Sequence, residues 1–313
     1  MSKIPVIFMG SPQVAVTILE ALLQAGYEVR AVITQPDKPA GRGQNLSPPP
    51  VKVFAEKHQL QVLQPLKVKT PEFVEELKKF GAQALIVAAY GRILSQEILD
   101  VTPHPLNVHF SLLPKYRGAS CVASALLNDE METGVTVMKV VEALDAGPIL
   151  SQEKIQIHDE DTTGSLEEKL AQLGGKLLVK TLEQIESLTP QNQEESQTSY
   201  APLLKKENAL INWAQSSRKI FKQIQAFNPW PVAFTRVDKQ RLKIYLAEVL
   251  EDSSLPVEAG RILNLSDAGI EVACSPGRIL IKEVQAEGKN RMKAGDYLKG
   301  SGRNLTVGQF LNL

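Results

Sequence analysis

Asn107 and His109 stand two apart at the end of an apolar run and lead directly into Ser111-Leu112-Leu113-Pro114. Alternate residues of an extended backbone share a face, so the amide and the imidazole would point the same way. Asp145, in the turn-like Leu144-Asp145-Ala146-Gly147, could return to the same place. An asparagine amide can donate to a developing oxyanion, a histidine moves protons near neutrality, and an aspartate can orient or charge the imidazole. These roles suit attack of an amine on a carbonyl, and no serine or cysteine nucleophile is needed because the substrate can bring its own. Without context an Asn-x-His pair is a weak signal, since a structural histidine and an ordinary Asp-x-Gly turn give the same pattern. Ser111 to Pro114 could wall a flat heterocyclic ligand with backbone polar groups and aliphatic side chains, or could simply be a tight strand exit sealed by proline. His58, His104 and His158 lie in polar stretches and receive no role.

The elements that must hold these residues read as a parallel sheet. Val6 to Met9 is a buried strand, the turn Gly10-Ser11-Pro12 follows, and Val14, Ile18, Leu19, Leu22 and Leu23 recur at helical spacing up to Gly26. Val29 to Ile33 completes a strand-helix-strand unit. Gly10-Ser11-Pro12 lacks the three glycines of a dinucleotide-binding turn. The stretch from Gln35 to Pro50 is too rich in Pro and Gly for a regular element and reads as a long basic loop carrying Lys38 and Arg42, either a functional loop, as such loops often are, or a floppy solvated excursion. Further on, the pattern predicts helices over 51–57, 71–80 and 95–99, and strands at Val62-Leu63, over 84–91 and over 105–109. Asn107 and His109 then sit at the carboxyl end of a strand, where open parallel sheets place their ligands. A helix over 118–127, a strand over 134–140 and a helix over 163–188, interrupted at Gly174-Gly175, complete this half.

Residues 190–207 are polar and read as a linker, dividing a first domain over 1–189 from a second over 208–313. Beyond a helix over 217–227, short alternating runs separated by Gly, Pro, Ser and Asp suggest a small antiparallel barrel. At 313 residues, with 43% hydrophobic and 22% charged residues, the chain has enough apolar side chain for two cores. The net charge of zero hides an asymmetry: from Asn208 onward there are 15 Lys/Arg against 10 Asp/Glu, leaving 20 against 25 before it. A basic second half fits a polyanionic partner or a solvated basic face. Cys121 and Cys274 are far apart and lack ligand-spaced neighbours, so they read as small buried hydrophobes, and neither a disulfide framework nor a metal site is expected. No signal peptide and no apolar stretch of spanning length is evident, so the expected compartment is the cytoplasm, with no membrane contact.

Asn107-Val108-His109 with Ser111 to Pro114, then Tyr116-Arg117-Gly118-Ala119, Thr133-Gly134-Val135-Thr136 and Leu144-Asp145-x-Gly147, resembles the signature of the folate-dependent formyltransferases. Phe8 to Pro12, Gln35 to Gly43, Pro50-Val51-Lys52, Ala89-Tyr90-Gly91 and Ala226 to Pro231 are similar to the branch of that family acting on methionyl-tRNA. The resemblance spans nearly the whole chain. It implies an α/β fold, with an N-terminal Rossmann-like parallel-sheet domain and a C-terminal OB-like β-barrel domain. It also implies a metal-free monomer that moves a formyl group from 10-formyltetrahydrofolate to the amino group of initiator methionyl-tRNA. By the same likeness Asn107, His109 and Asp145 are catalytic, Ser111, Leu112, Leu113 and Pro114 line the folate site, and Lys38 and Arg42 approach the tRNA.

The chain departs from the family where Phe110 replaces a small residue, where Ser120-Cys121 replaces Ala-Pro, and where Ala146 replaces threonine. Two other readings therefore stay open: a formyltransferase for a small amine, such as an amino-sugar nucleotide or glycinamide ribonucleotide, and a tRNA-binding module without catalysis.

Overall fold

The computed structural model describes residues 3–40, 45–250 and 258–312. Val6–Gly10 forms strand β1, all of it buried, as expected of a strand paired on both edges in a parallel sheet. After the turn at Ser11 and Pro12, α1 (Gln13–Gln24) buries Ala15, Ile18, Leu19 and Leu22. The chain turns at Gly26, whose φ of 78° suits glycine, and returns as β2 (Val29–Ile33), parallel to β1. The Pro- and Gly-rich stretch, expected to be a loop, pairs instead as a short hairpin of β3 (Lys38–Ala40) and β4 (Asn45–Ser47). Proline survives in such a two-stranded edge because its missing N–H interrupts no central ladder.

Next come α2 (Pro50–Lys57) and β5 (Val62–Leu63), which pairs with β2. Thr70 then caps α3 (Pro71–Lys78), its hydroxyl accepting from the Phe73 N–H at 3.3 Å. They are followed by β6 (Ala84–Ala88), the short α4 (Gln96–Leu99) and β7 (His104–His109), which runs parallel to β6. Helix α5 (Cys121–Leu127) begins three residues later than its spacing predicts, because Gly118, at φ 122°, lies so close to the Ala201 carbonyl that a Cβ there would approach its oxygen to 2.5 Å.

Strands β8 (Glu132–Lys139) and β9 (Ile149–Gln156) close the sheet antiparallel. The sequence pattern did not announce β9: it is an edge strand whose outer residues Gln152, Glu153 and Lys154 are exposed, so its apolar alternation is thin. The strand order is β5-β2-β1-β6-β7-β8-β9. The chain runs outward from β1 to β5 and then crosses back to β6, and this reversal opens a crevice at the strands' carboxyl ends. Helix α6 (Thr163–Glu183) is continuous through its two glycines. They are there for close approach: a Cβ on Gly174 would meet Val108 at 2.9 Å, and one on Gly175 would meet Ala21 at 2.7 Å.

The chain divides into two compact units, Met1–Cys121 with Glu132–Gln156 and Glu167–Pro202, and Val122–Met131 with Ile157–Leu166 and Leu203–Leu313. In the second, α7 (Ser217–Ala226) is capped by Ser216 and precedes β10 (Phe234–Val237) and β11 (Gln240–Leu250). Strands β12 (Ile262–Ser266), β13 (Gly269–Ala273), β14 (Arg278–Ala286) and β15 (Met292–Lys293) follow, and then α8 (Ala294–Lys299). They form one antiparallel sheet in the order β10-β11-β14-β13-β12, with β15 on β14. Register shifts between Ile244 and Ala247 bend β11, a device that lets a sheet curl towards a barrel. Leu242 and Ile244 face the core, whereas Arg241, Lys243 and Tyr245 alternate to the other side. The guanidinium of Arg241 lies 4.4 Å from the Phe234 ring centre, and that of Arg291 lies 4.6 Å from the Tyr245 ring centre. One face of this sheet is thus basic and aromatic. Among the described residues no helix is long and apolar enough to cross a membrane.

Candidate active site

Strand β7 places Asn107 opposite Val87 of β6 and Met138 of β8, and His109 opposite Thr136. Asn107 is half-buried and His109 is buried, on the same face of the strand. The His109 Nε2 lies 3.0 Å from the carbonyl oxygen of Tyr116. A carbonyl only accepts, so Nε2 carries a proton and, in the neutral ring, Nδ1 is the open nitrogen. That Nδ1 faces Oδ2 of Asp145 at 3.8 Å, an ion-pair separation and not a hydrogen bond. With acceptors on both sides, the imidazolium is the form that satisfies the site. Burial pulls the imidazole down, but the Cys121 sulfur, through its negative charge when ionised and the hydrogen bond it then accepts, followed by the Asp145 carboxylate and the Tyr116 carbonyl, outweighs that and pushes it up to about 9.

Asp145 sits on the turn between β8 and β9, in the left-handed region at φ 49°. Aspartate tolerates that region better than most non-glycine residues, but its surroundings must still hold it there. Its Oδ2 accepts the Gly118 N–H at 2.8 Å, and Gln193 Nε2 donates to its carbonyl oxygen at 2.8 Å. Gly147 makes the turn possible, because a Cβ there would sit 1.7 Å from the Lys139 carbonyl oxygen. Tyr116, whose carbonyl receives the His109 proton, is also left-handed, at φ 62°.

The loop after His109 is braced from within. The buried Ser111 hydroxyl donates to the Lys115 carbonyl at 2.7 Å, and buried Leu113 donates its N–H to the Thr136 hydroxyl at 3.2 Å. Gln152 Nε2 donates to both the Leu113 carbonyl and Thr136 Oγ1 at 2.8 Å. Leu112 and Pro114 remain half-buried on the loop.

Beside this strand lies a crevice of about 490 Å³, mostly apolar, lined by Leu99, Thr102, Pro105, Val140, Val141 and Pro148 among others, with Asp100 and Lys139 also on its wall. Pro105 is two residues before Asn107, and Val141 and Pro148 flank the Asp145 turn, so the crevice adjoins the strand and the turn that carry the candidate residues. Its volume suits a small organic ligand. The Thr102 hydroxyl is buried and has no hydrogen-bond partner among the described residues. Phe110 is half-buried and belongs neither to the buried core nor to this lining.

The sequence profile of the formyl transferase family matches residues 2–182, and that of the formyl transferase C-terminal domain matches residues 203–302. Methionyl-tRNA formyltransferase of Acetivibrio thermocellus is 44% identical over 97% of this chain and 99% of its own. The chain belongs to the formyl transferase family. The methionyl-tRNA formyltransferase of Moorella thermoacetica is 46% identical over 94% of this chain and 95% of its own. Among solved structures, Aquifex aeolicus HypX in complex with tetrahydrofolic acid superposes on all of this chain with a TM-score of 0.67 at 15% identity. That likeness is one of fold, and the chain spans 51% of HypX.

In this formyl transferase the structure brings Asn107, His109 and Asp145 together, the first two by strand alternation and the third by a turn. Ser111 to Pro114 form the loop that follows. Lys38 lies elsewhere, exposed on the β3–β4 hairpin. Arg42, expected to approach tRNA, lies outside the described residues. Sequence reasoning gave no role in the site to Cys121, read as a small buried hydrophobe and buried in the structure, nor to Arg117 or Gln193. Arg117 falls inside the family-like Tyr116-Arg117-Gly118 motif and could have been singled out; nothing in the local sequence marks Gln193. Among the described residues no cluster of three His, Cys, Asp or Glu side chains is placed to ligate a metal.

Proposed function

We infer that the chain transfers the formyl group of 10-formyltetrahydrofolate to the α-amino group of methionyl-tRNA. The observation that carries this is the extent of the likeness to the A. thermocellus enzyme, at 44% identity across both units. Against a formyltransferase for a small amine, the sugar 3N-formyl transferase WlaRD shares 20% identity, a likeness of fold alone, and the intact Asn107, His109 and Asp145 arrangement argues against a module without catalysis.

The crevice fits the co-substrate. Its apolar walls accept a flat bicyclic ring, and the orphaned Thr102 hydroxyl gains a partner from a ring heteroatom. Bound there, 10-formyltetrahydrofolate supplies the one-carbon acyl group. Ser111 to Pro114 are assigned to the folate site by the family likeness, Ser111 and Leu113 bracing the loop from its buried side and Leu112 and Pro114 keeping surface for the ligand. Asn107 and the imidazolium of His109 donate towards the oxygen on which negative charge develops, and the low-dielectric surroundings strengthen both bonds. Asp145 helps to keep His109 charged and takes the proton from the attacking amine as the new C–N bond forms; when the bond between the formyl carbon and the folate nitrogen breaks, that proton passes to this nitrogen, so the leaving group departs as a neutral amine and the carboxylate is regenerated.

The basic, aromatic face of the second unit, with Arg241, Lys243 and Arg291, carries phosphate contacts to the tRNA, while Lys38 and Arg42 approach its acceptor end. The enzyme acts as a cytoplasmic monomer on the initiator species. The test is formylation of methionine-charged initiator tRNA with 10-formyltetrahydrofolate. Product formation with the parent chain supports the reading; tRNA binding without product, or formylation only of an amino sugar, overturns it.

A further inference from the structure

The polar stretch that follows α6 is a strap across the active site. Gln191 exchanges backbone hydrogen bonds with Ile149 in both directions, each 2.8 Å, which fastens the strap where β9 begins. Two residues on, Gln193 Nε2 donates to the carbonyl oxygens of Asp145 and Gly147, both at 2.8 Å. Its Oε1 accepts from Arg117 Nε at 3.0 Å. The other two guanidinium nitrogens of Arg117 donate to the Glu195 carboxylate at 3.2 and 2.7 Å. Farther along, Ser199 Oγ accepts the Tyr116 N–H at 2.9 Å, and Ala201 donates its N–H to the Arg117 carbonyl at 2.7 Å.

The strap therefore touches both halves of the site. It grips the turn that carries Asp145, and it grips the corner whose Tyr116 carbonyl and Gly118 N–H hold His109 and Asp145. Gln193 suits the first task because one carboxamide supplies two donors to carbonyls on either side of Ala146 while its oxygen is itself held by an arginine. The turn needs such a clamp, since Asp145 occupies the left-handed region.

We propose that Gln193, locked in place by Arg117 and Glu195, is a positioning residue that sets Asp145 against His109. The proposal rests on reading those two as the catalytic pair. It predicts that loosening the clamp lets the carboxylate drift from the imidazole, which weakens turnover more than substrate binding. The groups facing His109 are Cys121 on α5, Asp145 on the β8–β9 turn and the Tyr116 carbonyl, so a shift in its titration reports mainly on Asp145 when the other two are untouched.

The test uses the full chain carrying Gln193→Met, which keeps the side chain's length without its hydrogen bonds, and Glu195→Ala, at a carboxylate that is 71% exposed. Folding is checked by thermal melting. Histidine ¹⁵N resonances are followed against pH, with the His109 signal assigned by its loss in His109→Gln, and kcat and KM are measured with methionine-charged initiator tRNA. Gln193→Met is expected to lower kcat about ten- to a hundredfold with KM for tRNA little changed, and to move the His109 midpoint down towards that of an ordinary histidine. Glu195→Ala should move both readouts the same way by a smaller amount. Should Gln193→Met fail to fold, Glu195→Ala decides. Folded variants with the parent kcat and the parent His109 midpoint would overturn the proposal. If the parent chain itself does not formylate this tRNA, the functional reading fails, while the His109 titration still decides the strap.

Discussion

The backbone N–H of Gly118 donates to Oδ2 of Asp145 at 2.8 Å, and that same oxygen is the one 3.8 Å from Nδ1 of His109. One carboxylate oxygen thus links the loop after β7 to the turn after β8. The hydrogen bond fixes where the charge sits, and that charge adds to the effect of the Cys121 sulfur in favouring the protonated imidazole.

Asp145→Asn tests the charge apart from the shape. The asparagine oxygen can still accept from Gly118, but the negative charge beside His109 is gone. We expect kcat to fall by about 10²–10⁴, the range for losing acid-base assistance, with tRNA affinity nearly unchanged in filter-binding measurements. Full activity in this variant would remove Asp145 from the mechanism.

The elevated His109 pKa ties activity and stability to pH. In the fold the group is pushed up to about 9 from the ordinary 6.5, so the folded state holds its proton more tightly than the unfolded chain. This stabilisation is complete below about pH 6.5 and is lost as pH rises to about 9. It is of order 3 kcal/mol. Denaturant titrations should show the decline in the parent and a flatter profile in His109→Gln. Turnover at saturating substrates should likewise fall as pH passes about 9, whereas its acid limb reflects protonation of the attacking amine, near pH 8 or below for an α-amino group.

Gly147→Ala places a methyl group where the Lys139 carbonyl oxygen now lies, 1.7 Å away. The turn must move. A loss of about 1–3 kcal/mol of stability is expected, together with a fall in kcat because Asp145 is carried on the same turn. Melting temperature and kcat measured together would show both.

Thr102→Val should separate ligand binding from stability. The hydroxyl is buried without a partner among the described residues, so replacing it with a methyl group of similar size should stabilise the free protein by about 1 kcal/mol. If the folate ring supplies the missing partner, affinity for 10-formyltetrahydrofolate falls about tenfold in the same variant. Unchanged folate affinity by calorimetry would place the ring elsewhere.

Arg241→Ala and Lys243→Ala probe the basic face of the second sheet. Each should raise KM for tRNA several-fold and reduce the steepness of its salt dependence by about one unit for each phosphate that is no longer neutralised. Turnover at saturating tRNA should stay near the parent value.

Much of this was legible in the chain. Apolar runs such as Val6 to Gly10 and Ala84 to Ala88 can only be buried strands, and Asn107 and His109 share a face because strand geometry has a period of two. The edge strand β9 was hidden because a strand with one solvated side needs few apolar residues, and the β3–β4 hairpin was hidden by its prolines. Gly174 and Gly175, which look like a helix break, permit close packing against Val108 and Ala21.

Local periodicity and residue chemistry thus determined the sheet, the amide and imidazole pair and the kind of reaction they suit. Three-dimensional proximity alone decided the protonation of His109, the left-handed turn at Asp145 and the grip of Gln193. These depend on groups tens of residues apart, Asp145 with Gly118 and Gln193 with Arg117. Nothing in the local pattern around Gln193 records that its amide meets two carbonyls across the site; that fact exists only once the chain has folded back on itself.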